Sequence, residues 1–324
     1  MKFLCLPGAY GSAKNFAVQL GPLAEELSKR GLAEFTYSQG IHEVDPPSGW
    51  EDYFGARPLY RFLDTTRGDT FETLRRLRHV PHGMNPEDTM RMFQSASHGE
   101  EWHQRAWLEA LDSVFQTVDQ DPEIDAIIGY SEGAMVAASL VVEEARRFQL
   151  HGTPRRIKFA IFISGAPPLK MEGDNRITAQ LADEINEAVI DIPTFHIFGC
   201  DDAFLSSAVA LFNVCDQETA TMYDHGLGHI VPRDNENVGI LGEVLSKIIP
   251  PVEEEAAAAR KKQLKDTIVR STSLRSRMVT RSVSAPTSVG GEHQMQHPAL
   301  ETGFDASRIE KIDFSTAMLR PVLL

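Results

Sequence analysis

The sequence predicts an α/β fold with a mostly parallel central sheet, and three observations carry that expectation. Short β-branched or aromatic runs alternate with longer amphipathic segments as far as residue 250, the pattern of strands joined by crossover helices. The composition, 42% hydrophobic and 24% charged over 324 residues, is that of a chain with a core to build rather than of a disordered or fibrous one. No segment repeats at a fixed period, which argues against a solenoid or propeller.

The elements follow in order. Lys2 to Leu6 is a short apolar run stopped by Pro7-Gly8, too short for the apolar region of a signal peptide and suited to a first buried strand. Helical periodicity covers Asn15 to Lys29, and a second strand is expected over Glu34 to Ser38. Further on, helices are expected over Glu101 to Val118, Glu132 to Phe148 and Asn237 to Ile249, and strands over Ala126 to Gly129, Lys158 to Ser164, Thr194 to Phe198 and Ala220 to Tyr223. The apolar run Ala134 to Val142, broken only by Ser139, is about half the length needed to cross a bilayer, so no membrane span is expected.

Two stretches break the rhythm. Residues 41–99 form a segment too long for a plain connection, carrying Trp50, Tyr53, Phe54, Tyr60, Phe62 and Phe71. Two readings are open: a cap whose aromatics wall an apolar substrate pocket, or an insertion that buries them against its own helices. The second break follows Pro250-Pro251. Residues 1–250 are expected to form the folded domain and residues 251–324 a low-complexity, mostly disordered tail.

Charge and cysteine usage narrow the function. The net charge is −14, and positions 1–250 hold 21 basic against 37 acidic residues, so the main body repels a phosphate backbone and nucleic acid is an unsuitable partner. Cys5, Cys200 and Cys215 show no paired short spacing, which implies neither a disulfide framework nor a zinc site and fits a reducing, cytoplasmic setting.

The sharpest local signal is Gly129-Tyr130-Ser131-Glu132-Gly133, preceded by an apolar strand and followed by a helical run. A serine here occupies a strained turn that lifts its hydroxyl off the sheet, and flanking glycines are needed because a side chain would strike the neighbouring strand or helix. The same turn aims the amide of Glu132 and the positive end of the helix at an oxyanion. A serine nucleophile needs a base and a group to orient that base. Asp202, after the buried run Thr194 to Phe198 and the turn at Gly199, is the expected acid, with Asp201 as its rival and a helix N-cap as the structural alternative for either. His229, in a loop flexed by Gly226 and Gly228, is the expected base, whereas His225 lies before the turn. Ser131, Asp202 and His229 occur in the chain order expected on an α/β-hydrolase sheet. The second oxyanion donor is expected from Leu6-Pro7-Gly8-Ala9-Tyr10-Gly11-Ser12, through the amide of Ala9 or Tyr10. A nucleotide reading of that loop fits poorly, since neither Gly-x-Gly-x-x-Gly nor a Gly-Lys-Ser/Thr loop occurs there.

With these residues in place the sequence resembles the fungal FSH-type serine hydrolases, a branch of the α/β-hydrolases that includes polyketide-releasing thioesterases. The resemblance spans about residues 1–250 and rests on Leu4 to Gly8 with Asn15-Phe16, on Gly129 to Ala134, on Phe162 to Gly165, on Phe198 to Asp202 and on Gly228 to Pro232. It implies the same nucleophile, acid and base at Ser131, Asp202 and His229. It also implies cleavage of an ester or acyl thioester, in secondary metabolism and with a small-molecule or carrier-protein-bound acyl substrate. The expected chemistry needs no metal or organic cofactor. One departure is Pro7, where the family commonly has histidine. A different class remains open to the sequence, a non-catalytic binding protein on the same fold for a small apolar ligand or a protein partner.

Overall fold

The computed structural model describes residues 1–49, 53–63, 80, 83–96, 104–171 and 177–281. Six parallel strands form the central sheet: β1 (Lys2–Leu6), β2 (Glu34–Tyr37), β5 (Ile124–Tyr130), β6 (Phe159–Ile163), β9 (Thr194–Phe198) and β10 (Ala220–Asp224), in the spatial order β10-β9-β6-β5-β1-β2. The six expected strands are these six, with ends shifted by a few residues. Two small antiparallel hairpins lie outside the sheet, β3 (His42–Val44) with β4 (Leu59–Arg61) and β7 (Leu169–Met171) with β8 (Ile177–Ala179).

Alternation along the strands divides the core into two layers. Leu4, Leu6, Ile127 and Phe162 face a cluster with α3 (Gln104–Gln120) and α4 (Glu132–His151), contributing Trp107, Val114, Val136 and Leu140 among others. Phe3, Cys5, Ile128 and Ile161 face the opposite cluster, where α1 (Ala13–Lys29) supplies Phe16, Leu20, Leu23 and Leu27. These four residues recur at helical spacing, so one stripe of α1 is apolar. The helix starts two residues before the expected Asn15 because Ser12 caps it, its hydroxyl accepting from the Asn15 amide at 3.1 Å.

Chain order then locates the functional edge. After β1 the chain crosses through α1 to β2 on one side, and after β5 it crosses through α4 to β6 on the other. Connections that leave adjacent strands in opposite directions open a crevice at the strands' carboxyl ends, the usual ligand position in open α/β sheets. The loop Pro7 to Ser12 and the turn at Ser131 both end in that crevice.

The insertion yields a mixed outcome. Phe62 is buried in the main core together with Leu63, rather than against the insertion's own helices, whereas Tyr53 stays exposed and Phe54 lies tilted against Tyr10 with ring centroids 4.7 Å apart. Trp50 and Phe71 lie outside the described residues. Two helices escaped sequence inspection, α2 (Pro86–Ala96) inside the insertion and α5 (Leu205–Asn213) after β9; Asn213 of α5 donates to Glu87 of α2 at 2.8 Å.

The boundary expected at Pro250-Pro251 is corrected by α6 (Asn235–Arg281), whose helical backbone continues through both prolines. Each proline removes one helix donor, leaving the carbonyls of Ser246 and Lys247 without it, but these residues are half-buried and exposed, where water can take the donor's place. Beyond the pair, Val252 is buried in the same cluster as Leu245 and Ile249, and Glu253 pairs with the amino group of Met1. The first compact unit therefore runs Met1–Ala257, and the second begins at Ala258 with helical backbone described as far as Arg281. Residues 282–324 of the expected tail lie outside the described residues. Among the described residues no helix is long and apolar enough to cross a membrane.

One core side chain makes the fold acid-sensitive. His196 on β9 is buried between the rings of Phe162 and Phe212, with Nε2 3.0 Å from Thr194 Oγ1, and burial pushes its pKa down to about 3. Unfolded, the imidazole protonates near its ordinary value of about 6.5, so between the two values the unfolded chain binds the extra proton and acid favours unfolding. Between pH 7 and pH 5 this group should remove about 2 kcal/mol of stability. Urea unfolding at the two pH values should show that loss in the parent and a flatter response in His196→Leu.

Candidate active site

The turn after β5 is built around a backbone conformation that non-glycine residues seldom adopt. Ser131 sits at φ 54°, ψ −117°, its amide donating to the Ile163 carbonyl at 2.9 Å and its carbonyl accepting from Ala134 and Met135 at 3.0 and 3.2 Å. The two glycines have the steric cause the motif implies. A Cβ on Gly129 would lie 2.4 Å from Ala134 Cα, and one on Gly133 would lie 2.3 Å from the Pro7 carbonyl oxygen. The Ser131 turn, the following helix and the loop after β1 are thus pressed together with no room for a methyl group.

Three side chains from separate loops meet at this edge. His229 Nε2 lies 2.9 Å from Ser131 Oγ, and His229 Nδ1 lies 2.9 Å from Asp202 Oδ2. A carboxylate only accepts, so Nδ1 carries the proton, and Nε2 of the neutral ring is the acceptor for the serine hydroxyl. Of the two candidate acids, Asp202 is the buried one at His229, while Asp201 is exposed. The helix that follows, Leu205–Asn213, is preceded by Phe204 as N-cap with no side-chain cap, so the capping alternative is not realised; Asp202 Oδ1 instead accepts from the Phe204 amide at 2.8 Å within the turn, leaving Oδ2 for the imidazole. Burial pushes the Asp202 pKa up, but the hydrogen bond to His229, the Phe204 amide and the adjacent Ser164 hydroxyl outweigh it and hold the carboxyl below its usual value.

Several neighbours were not singled out from the sequence. Tyr130 donates its hydroxyl to the His229 carbonyl at 2.9 Å, and its ring lies 5.4 Å from the imidazole; burial raises its pKa. Phe204 covers His229 at 4.8 Å, so the imidazole lies between two aromatic rings. Ser164, at φ 45°, is buried with no well-formed hydrogen bond from its hydroxyl, yet it stands close enough to Asp202 to draw its pKa down. Tyr130 lies within the Gly-x-Ser-x-Gly motif and Ser164 follows the apolar run of β6, but nothing in their spacing indicates a link to His229 or Asp202. His225 is buried, its amide donating to the Phe198 carbonyl at 2.9 Å and its Nδ1 accepting from the Leu227 amide at 3.3 Å, which places it at the strand end as its position suggested.

The loop after β1 lies against the serine. A Cβ on Gly8 would be 3.1 Å from Ser131 Cβ, and Tyr10 takes φ 60°. Glu132 begins α4, where helix geometry leaves amides without intrahelical acceptors, so its amide is available on the serine's side of the turn. Its carboxylate instead reaches the insertion, accepting from Arg61 and from the Phe62 amide. Among the described residues no cluster of three or more His, Cys, Asp or Glu side chains is arranged to hold a metal ion.

Comparison with known proteins places this geometry in context. The sequence profile of the family described as "Serine hydrolase (FSH1)" matches residues 1–240. Hydrolase phiM of Talaromyces stipitatus is 26% identical over 259 residues, covering 78% of this chain and 87% of that protein. Esterase FPY3 of Fusarium mangiferae is 23% identical over 77% of this chain and 97% of that protein, and esterase OVCA2 of Bos taurus is 28% identical over 72% and 89%.

The crowding at Gly133 generates a test of the turn itself. Gly133→Ala forces a methyl group into backbone and should cost about 1–3 kcal/mol or more, read as a lowered thermal midpoint. Gly21→Ala, where nothing lies within 4 Å of the added Cβ, should not lower it.

Proposed function

The chain belongs to the serine hydrolase family FSH1, and from that premise we propose that it hydrolyses an ester or acyl thioester through an acyl-serine intermediate. The observation that carries this reading is the continuous hydrogen-bond chain from Ser131 Oγ through the His229 ring to Asp202. In the proposed first step His229 Nε2 takes the Ser131 proton as Oγ attacks the carbonyl carbon, and the carbonyl π pair moves onto oxygen. The amides of Glu132 and of Ala9 or Tyr10 hold that oxyanion. Collapse expels the alcohol or thiol, which leaves with the proton from His229. Water then attacks the acyl-serine with the same imidazole as base, releasing the acid and restoring the hydroxyl. Asp202 holds Nδ1–H and stabilises the imidazolium without itself taking the proton.

The substrate reading is a small-molecule or carrier-bound acyl group. Three features of the site support it: Tyr53 exposed beside Phe54 in the insertion, and Leu227 and Ile230 exposed on the loop that carries His229. Such a rim suits an apolar acyl chain. Relatives carry the names esterase and hydrolase, and the resemblance to fungal releasing enzymes extends the proposal to a thioester of secondary, polyketide-type metabolism.

Ser131→Ala should abolish hydrolysis of p-nitrophenyl and acyl-thioester substrates and the reaction with a fluorophosphonate, with an unchanged circular dichroism spectrum. Asp202→Asn should lower kcat by about 10⁴-fold, as loss of the orienting acid does elsewhere. Hydrolysis retained by the alanine variant would remove the proposal. The reading confines the chemistry to the first compact unit, so a chain ending at Ala257 should keep its kcat/KM within about twofold, a change of less than ~0.5 kcal/mol in transition-state stabilisation.

A further inference from the structure

We propose that Arg61, supplied by the insertion, is a positioning residue that holds the two halves of the oxyanion hole in register. The inference rests on the serine-hydrolase reading, with the amides of Glu132 and of the loop after β1 as the donors.

Arg61 touches both halves. Its Nε and Nη2 donate to Glu132 Oε2 at 2.9 and 2.7 Å, and the next residue, Phe62, donates its amide to Oε1 at 2.6 Å. The same guanidinium lies over the Tyr10 ring, with Cζ 5.4 Å from the ring centroid. Glu132 carries one proposed donor and Tyr10 stands at the other, so a single planar cation at the end of β4 contacts both residues. The Glu132 carboxylate is 6% exposed and Arg61 16% exposed, so neither charge can turn to water without leaving the other buried and uncompensated. The pair therefore has one stable arrangement, and the Glu132 Cα is fixed with it.

Other contacts brace the insertion on the same loop. The Tyr60 amide donates to the Gly11 carbonyl at 3.2 Å, and Asn15 Nδ2 donates to the carbonyls of Phe54 and Ala56 at 3.2 and 2.9 Å. Gly40 admits this strap, since a Cβ there would lie 2.0 Å from the Arg61 carbonyl carbon. Tyr10 keeps a left-handed backbone, which a non-glycine residue holds only where its surroundings enforce it. The cation above its ring belongs to those surroundings. Displacing a catalytic donor by about 1 Å can cost as much as about 10²-fold in rate, which makes the placement of these two amides a matter of rate and not only of stability.

The test uses the full chain with Arg61→Met, Arg61→Lys and Glu132→Gln. Completed fluorophosphonate labelling counts competent sites, so that kcat is expressed per folded site and a loss of stability is not read as a loss of rate. Arg61→Met should lower kcat on a p-nitrophenyl ester by about 10- to 100-fold while KM changes less than about threefold, because an oxyanion donor acts on the transition state rather than the ground state. Affinity for a trifluoromethyl ketone, whose adduct carries an oxyanion, should fall in parallel with kcat. Arg61→Lys keeps the charge but not both fork contacts and should recover part of the rate. Unchanged kcat per labelled site, within about twofold, in Arg61→Lys and Glu132→Gln would overturn the proposal whether or not Arg61→Met folds. Failure of the underlying reading has a separate signature, hydrolysis surviving Ser131→Ala.

Discussion

The backbone of Ser131, held at φ 54° between two glycines that admit no side chain, is the constraint from which the rest of this site is organised. It sits at the carboxyl end of β5, whose neighbours on either side, β1 and β6, bring up the loop Pro7 to Ser12 and the carbonyl of Ile163 that accepts from the Ser131 amide. The close approach of α4 to the loop after β1 puts a helix N-terminus and an irregular loop within reach of one hydroxyl. Strain in the turn is offset by a core that is buried on both faces of the sheet, so the geometry is imposed by packing rather than by local preference.

The proposed base is held as firmly as the serine. His229 lies in a loop that glycines make flexible, yet its ring is covered by Phe204 and lies beside Tyr130, its carbonyl accepts from the Tyr130 hydroxyl, and its Nδ1 is bonded to Asp202. Asp202 divides its two oxygens between that imidazole and the Phe204 amide. One carboxylate therefore closes the turn after β9 and orients the ring, which also places Phe204 against the imidazole. The insertion adds a second brace, because the side chain of the residue after the serine is an anion buried against the insertion's own cation.

Legibility differed by element for physical reasons. Strands β5, β6 and β9 are buried on both faces and read as unbroken apolar runs, which a sequence displays openly. Helix α5 is nine residues long and rich in small residues, too short for periodicity to accumulate. The end of the first unit was misplaced because a proline pair ordinarily stops a helix, and only tertiary burial of Val252 shows why the chain stays docked past it. Arg61 and Tyr130 gave no signal, since a lone arginine in an irregular segment and a tyrosine inside a motif carry nothing that names their partners.

By itself the sequence determined the α/β class, the strained serine turn, and the chain order of serine, acid and histidine, because each depends on local sterics or on a period of two or about 3.6 residues. Tertiary structure alone placed Asp202 rather than Asp201 against His229, brought Ser164 to that carboxylate, set Tyr130 against the His229 ring, and joined Arg61 to Glu132 across 71 positions. Adjacent aspartates at a strand end differ only in the direction their side chains leave the turn, and a buried ion pair forms only where folding has excluded water from both partners. Neither condition exists in the extended chain, so neither leaves a trace in residue spacing.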